Sequence, residues 1–129
     1  MKLDVLPGKR EAFGFTYDSS NRRHILFGGY GELSLLDDMW TWDGVEWKEL
    51  TPAKKPSARI KTSMAFDENR GEIVLFGGLD YNELYGDTWI WNGQTWTKKM
   101  TPTAPPPRIE HQLFYDPTLR KVILFGGYD

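Results

Sequence analysis

A run of aliphatic residues closed by phenylalanine and two glycines occurs three times: ILFGG at 25–29, VLFGG at 74–78 and ILFGG at 123–127. The leading glycines, Gly28, Gly77 and Gly126, stand 49 residues apart (77 − 28 and 126 − 77). The same offset relates Pro7, Pro56 and Pro105, and also Arg10, Arg59 and Arg108. It relates Asp18, Asp67 and Asp116, each preceded by an aromatic residue (Tyr17, Phe66, Tyr115). In the two complete copies it links Asp38 to Asp87 and Gly44 to Gly93, and it sorts all six tryptophans into the pairs Trp40/Trp89, Trp42/Trp91 and Trp47/Trp96. A period near 50 held in register along a whole chain is the mark of a stacked or radial repeat architecture.

Each period divides into four short runs rich in β-branched and aromatic residues and separated by turn formers, which reads as four strands. Strand A covers 11–18, 60–67 and 109–116; strand B covers 23–29, 72–78 and 121–127. Strand C covers 38–44 and 87–93, and strand D 46–50 and 95–100. No segment sustains a helical period, so the expected class is all-β. DG at 43–44 and NG at 92–93 are strong hairpin signals because both residues tolerate positive φ. The A–B turns each open on an aspartate able to accept backbone N–H groups just ahead. The pairs Gly28–Gly29, Gly77–Gly78 and Gly126–Gly127 end strand B, where close backbone approach or positive φ excludes a side chain. Trp40 and Trp42 share one face of strand C, and an even C–D loop puts Trp47 on the same face. Trp89, Trp91 and Trp96 repeat the arrangement. These six residues are expected to be core, since deleting a buried Trp costs about 3–5 kcal/mol.

This pattern resembles the kelch repeat, in the bacterial form typified by the galactose oxidase central domain. The residues that carry it are Arg59, Phe66–Asp67, Gly77–Gly78 and DTWIWNGQTW at 87–96. Arg10, Tyr17–Asp18, Gly28–Gly29 and DMWTWDGVEW at 38–47 match in the first copy, and Arg108, His111, Tyr115–Asp116 and Gly126–Gly127 in the third. The resemblance implies kelch-type β-propeller blades, with strand A nearest the axis and D outermost. Residues 1–129 form one array: blade 1 over about 8–52, blade 2 over about 57–102, and an inner A–B hairpin over about 106–129. Propellers close with about 4–8 blades, so this array is an incomplete ring. Completion is expected from self-association, a two-fold dimer being favoured, or from the missing blades of a longer chain.

The remaining features bound function. The net charge of −2, with acids and bases interspersed, provides no footprint for nucleic acid or anionic lipid. No run is long enough to span a membrane. The chain has no cysteine, so disulfides and thiolate chemistry are excluded. The start, MKLDVLPGKR, lacks the apolar core of a signal peptide, which favours a cytoplasmic location. His24 and His111 occupy non-equivalent repeat positions and suggest no metal site, and no cofactor is expected. Asp38 and Asp87 recur in register and read as turn and ladder residues.

Antiparallel order places the D–A loops and the longer B–C loops at one end of the blades, and long loops on rigid scaffolds carry binding. Arg10, Arg59 and Arg108 enter the innermost strands there; the resemblance implies capture of an acidic or polar ligand, and the alternative is an ion pair or loop contact that holds each repeat together. Tyr30, Tyr81 and Tyr85 in the B–C loops are candidate partner-binding residues, with covering of the blade edge as the alternative. The expected function is a non-enzymatic module that docks a protein or peptide on the long-loop face. The alternative is a carbohydrate-binding or sugar-mutarotase-like propeller.

Overall fold

The computed structural model describes residues 5–129. Residues 1–4, which open the stretch read for a signal peptide, lie outside the described residues. The described chain is all-β, with ten strands in three antiparallel sheets. The first sheet runs in the order β1 (Gly14–Asp18), β2 (Arg23–Tyr30), β3 (Leu35–Trp42), β4 (Trp47–Leu50). The second runs β5 (Ser63–Asp67), β6 (Glu72–Phe76), β7 (Thr88–Trp91), β8 (Trp96–Lys99). The third is the hairpin β9 (Ile109–Asp116) and β10 (Lys121–Tyr128). The sheets close into no barrel.

The turns follow from side-chain chemistry. After β1, β5 and β9 an aspartate carboxylate accepts N–H groups from the turn: Asn21 to Asp18, Asn69 and Arg70 to Asp67, Thr118 and Leu119 to Asp116. The chain then returns through a left-handed residue at Arg22, Gly71 or Arg120. The DG and NG turns differ from the two-residue hairpin expected. Trp42 pairs directly with Trp47 and Trp91 with Trp96, so each loop has four residues. Only Gly44 and Gly93 take positive φ (96° and 101°); Asp43 and Asn92 instead accept N–H groups from two and three residues ahead. The loop is even, so the indoles do share a face.

Strand A is shorter than expected in the first two sheets because Ala12 and Lys61 are left-handed (φ 55° and 57°) and interrupt the ladder. Glu110 takes the same conformation in β9 (φ 59°), where the ladder steps past it from His111↔Gly126 to Ile109↔Tyr128.

Packing alternates faces. Ile25, Phe27 and Met39 of the first sheet, with Leu50 at its margin, receive Met64, Phe66, Ile73, Leu75, Trp89, Trp91 and Trp96 of the second. Phe27 meets Trp96 edge-on, with centroids 5.8 Å apart. On the other face of the second sheet, Ala65, Phe76 and Val74 pack against Leu113, Val122 and Leu124 of the hairpin. β1, β5 and β9 are neighbours along one side of the stack. Backbone links between sheets repeat with the period: Gly29 N–H donates to Arg59 O and Gly78 N–H to Arg108 O; Arg59 N–H donates to Leu36 O and Arg108 N–H to Tyr85 O.

The glycine pairs make those links feasible. A methyl group on Gly28 would stand 2.9 Å from the Arg59 carbonyl oxygen, and one on Gly77 2.8 Å from that of Arg108. Both residues also have positive φ (68° and 74°), which costs a non-glycine residue about 1–2 kcal/mol.

Candidate functional site

The repeated arginines sit where strand A begins, and each reaches across to the start of strand C. Arg10 donates to both carboxylate oxygens of Asp38, at 2.6 and 2.8 Å. Arg59 does the same to Asp87, at 2.7 and 3.0 Å. The rest of each fork goes to carbonyls: Arg10 to Gly8 and Gly28, Arg59 to Ser57 and Gly77. The indole N–H of Trp40 donates to Asp38 Oδ2 at 2.7 Å and that of Trp89 to Asp87 Oδ2 at 2.8 Å. Burial pushes Asp38 and Asp87 up, but the arginine forks and indole donors outweigh it and hold both carboxyls below the ordinary carboxylate range. The aspartates are therefore ion-pair partners, in place of the turn and ladder duty expected of them. A signal for this was present: Arg10 to Asp38 and Arg59 to Asp87 are both 28 residues apart.

Arg108 differs. It donates to Pro106 O and Gly126 O, the counterparts of the carbonyls used by Arg59, but among the described residues its fork meets no carboxylate. Its counterpart Arg59 is 1% exposed, whereas Arg108 is half-buried.

The loop tyrosines separate into two kinds. Tyr85 folds down: the Arg59 guanidinium lies 4.0 Å from its ring centroid, and its hydroxyl donates to Asp80 Oδ2 at 2.6 Å and accepts from Ser57 at 3.0 Å. Asp80 in turn accepts the N–H groups of Asn82 and Glu83, and with the Tyr85 hydroxyl bond foremost its carboxyl is held below the ordinary range. Tyr85 is thus a brace that holds its loop against the sheet. Tyr81 is 71% exposed at the same end of the molecule, and Tyr30 is also exposed. Desolvation and the neighbouring Tyr30 raise the Tyr81 phenol above its ordinary value. A shallow cleft of about 560 Å³ lies beside the brace, lined by Lys55, Arg59, Tyr85, Asp87, Trp89 and Lys98. Two cross-links at this level were not anticipated: Lys55 to Asp37 at 3.1 Å and, on the β5–β9 side, Lys61 to Glu110 at 2.6 Å.

His24 stacks on Phe15 with parallel rings 5.3 Å apart, and His111 is buried with Nε2 2.8 Å from the Phe76 carbonyl oxygen. A carbonyl only accepts, so His111 carries its proton on Nε2. Burial pushes its pKa below the ordinary histidine value. Among the described residues, no group of three or more His, Cys, Asp or Glu is placed to hold a metal ion.

The tryptophans share faces as expected but differ in cover. Trp89, Trp91 and Trp96 are buried between the first two sheets. Trp42 and Trp47 are half-buried on the outward face of the first sheet, where Phe13, Phe15 and Tyr17 are exposed. No protein-family model matches the chain, and no curated protein matches it.

Proposed function

We propose that the chain is an arc of kelch-type β-propeller blades that serves as a non-enzymatic binding and assembly module. It docks protein or peptide on the long-loop end and completes its ring by self-association. The observation that carries the reading is the state of the two end faces. Phe27 is fully buried against Trp96. Its counterpart two periods on, Phe125, is 72% exposed, and Phe114 beside it is also exposed. At the other end the first sheet presents Trp42, Trp47, Phe15 and Tyr17, the counterparts of residues that are buried in the second. One end therefore offers the kind of surface that the other end accepts inside the molecule. Contiguous apolar faces of this kind mark association sites, and head-to-tail contacts that close make rings. Arg10 and Arg59 give their forks to aspartates, so a sugar carboxylate would have to displace a bidentate partner. That favours docking over the carbohydrate reading.

Light scattering across a range of concentrations tests the assembly. A dimer that dissociates on Phe125→Glu is the expected result. A monomer at every concentration sinks self-association.

A further inference from the structure

The turn between β7 and β8 holds Asn92, which alone among the four asparagines of the chain precedes a glycine. Asn21, Asn69 and Asn82 precede Arg22, Arg70 and Glu83. The Asn92 side chain reaches forward over Gly93. Its Oδ1 accepts the N–H groups of Gln94 at 2.9 Å and Thr95 at 2.8 Å, and the Thr95 hydroxyl stands 3.4 Å away. Backbone N–H groups only donate, so the side-chain oxygen, not its amide nitrogen, faces them. The Asn92 N–H donates to Thr95 O at 3.2 Å, which closes the loop and holds this pose. Asn92 is exposed, and no atom lies within 4 Å of where a side chain on Gly93 would begin.

These are the parts of an intramolecular acyl transfer. The Gly93 backbone nitrogen is the nucleophile nearest Asn92 Cγ along the chain, and without a Cβ on Gly93 nothing crowds its approach. When it attacks Cγ, negative charge gathers on Oδ1, where the two N–H donors already point.

We propose that Asn92 is a self-modification site at which the side-chain amide becomes a carboxylate. Solvent hydroxide takes the Gly93 N–H proton, the nitrogen bonds to Asn92 Cγ, and the Cγ–Nδ2 bond breaks. The departing nitrogen takes a proton from water and leaves as ammonia. Water then opens either carbonyl of the cyclic imide, which leaves an aspartyl or an isoaspartyl residue. The first repeat shows that the aspartyl product fits. Asp43 occupies the equivalent position, and its carboxylate accepts the N–H groups of Val45 and Glu46 at 2.8 and 2.9 Å. That product keeps the loop and adds one negative charge to it. The isoaspartyl product inserts an extra backbone atom into the loop that sets Trp91 opposite Trp96, and so loosens the hairpin. The inference goes beyond the proposed function and does not depend on it.

The test incubates the whole chain at neutral and at mildly alkaline pH. Conversion is followed by peptide mass mapping and anion exchange, with Asn92→Asp as the marker of the aspartyl product. The expected result is the mass gain of an amide-to-acid exchange at residue 92, faster at the higher pH, with Asn21, Asn69 and Asn82 unchanged. Gly93→Ala should slow it about tenfold, equivalent to about 1.4 kcal/mol in the barrier. The folded chain should also convert faster than the same chain unfolded in guanidinium chloride, where the two donors are no longer held at Oδ1. This comparison needs no variant, so it stands even if the alanine distorts the loop. No conversion at residue 92, or conversion no faster folded than unfolded, overturns the proposal.

Discussion

Arg59 and Arg108 stand at one repeat position and differ in whether a carboxylate is present, so the pair measures what that carboxylate contributes. Arg59→Met keeps the length of the aliphatic stem and removes the fork. Asp87 would then be left partly buried, with only the Trp89 N–H and its own backbone surroundings for support. Breaking a buried pair by removing one partner costs about 3–5 kcal/mol. The Asp87 side chain is 14% exposed, so the lower figure, about 3 kcal/mol, is expected. With an m-value of about 1.5 kcal/mol/M in urea, the unfolding midpoint falls by about 2 M. Arg108→Met loses only two carbonyl contacts at a partly solvated site, which is about 1 kcal/mol at most. Adding Asp87→Asn to Arg59→Met should restore part of the loss, because no charge is then left without its partner. Urea unfolding followed by tryptophan fluorescence reads all of these variants. Equal shifts for Arg59→Met and Arg108→Met would refute the argument, as would a double variant less stable than the single one.

Two further outcomes are expected. Gly77→Ala and Gly126→Ala impose the same left-handed strain (φ 74° and 76°), but only Gly77 has a carbonyl at 2.8 Å, while the space around Gly126 is open. Gly77→Ala should therefore exceed the about 1–2 kcal/mol of strain that Gly126→Ala shows, and equal losses in denaturation would discount the close approach. His111 has a folded pKa below its unfolded value, so the unfolded chain binds the extra proton first. Its contribution is complete above a pH of about 6.5 and is lost as pH falls from there through the lower folded pKa. Thermal midpoints measured from pH 7.5 to 5.5 should drop, and His111→Gln should flatten that slope; an unchanged slope in the variant would assign the effect elsewhere.

Most of the local structure was legible in the chain. The strands, their order, the antiparallel pairing and the shared indole face follow from residue type and spacing over a few positions, and the 49-residue repeat states each of them more than once. The turn geometry was only half legible. DG and NG correctly marked the hairpins, but the Asp43 and Asn92 side chains bond the backbone ahead and open a four-residue loop in place of a tighter turn. The left-handed positions at Ala12, Lys61 and Glu110 carry no glycine and left no mark in composition.

What the tertiary structure alone decided is where equivalent residues stop being equivalent. By sequence, Trp47 and Trp96, Phe27 and Phe125, and Arg59 and Arg108 are the same residue in successive copies. Burial depends on the next sheet, which no single repeat contains, so Trp96 is enclosed and Trp47 half-open. An ion pair depends on the strand that packs alongside, so Arg59 reaches the Asp87 carboxylate while, among the described residues, Arg108 reaches only carbonyls. Tyr85 could not be separated from Tyr81 by spacing, because only the folded loop brings the Arg59 guanidinium beneath one ring and leaves the other in water. Local spacing sets strands and turns because they form between near neighbours; faces, pairs and open edges are relations between sheets, and only the stacked sheets could settle them.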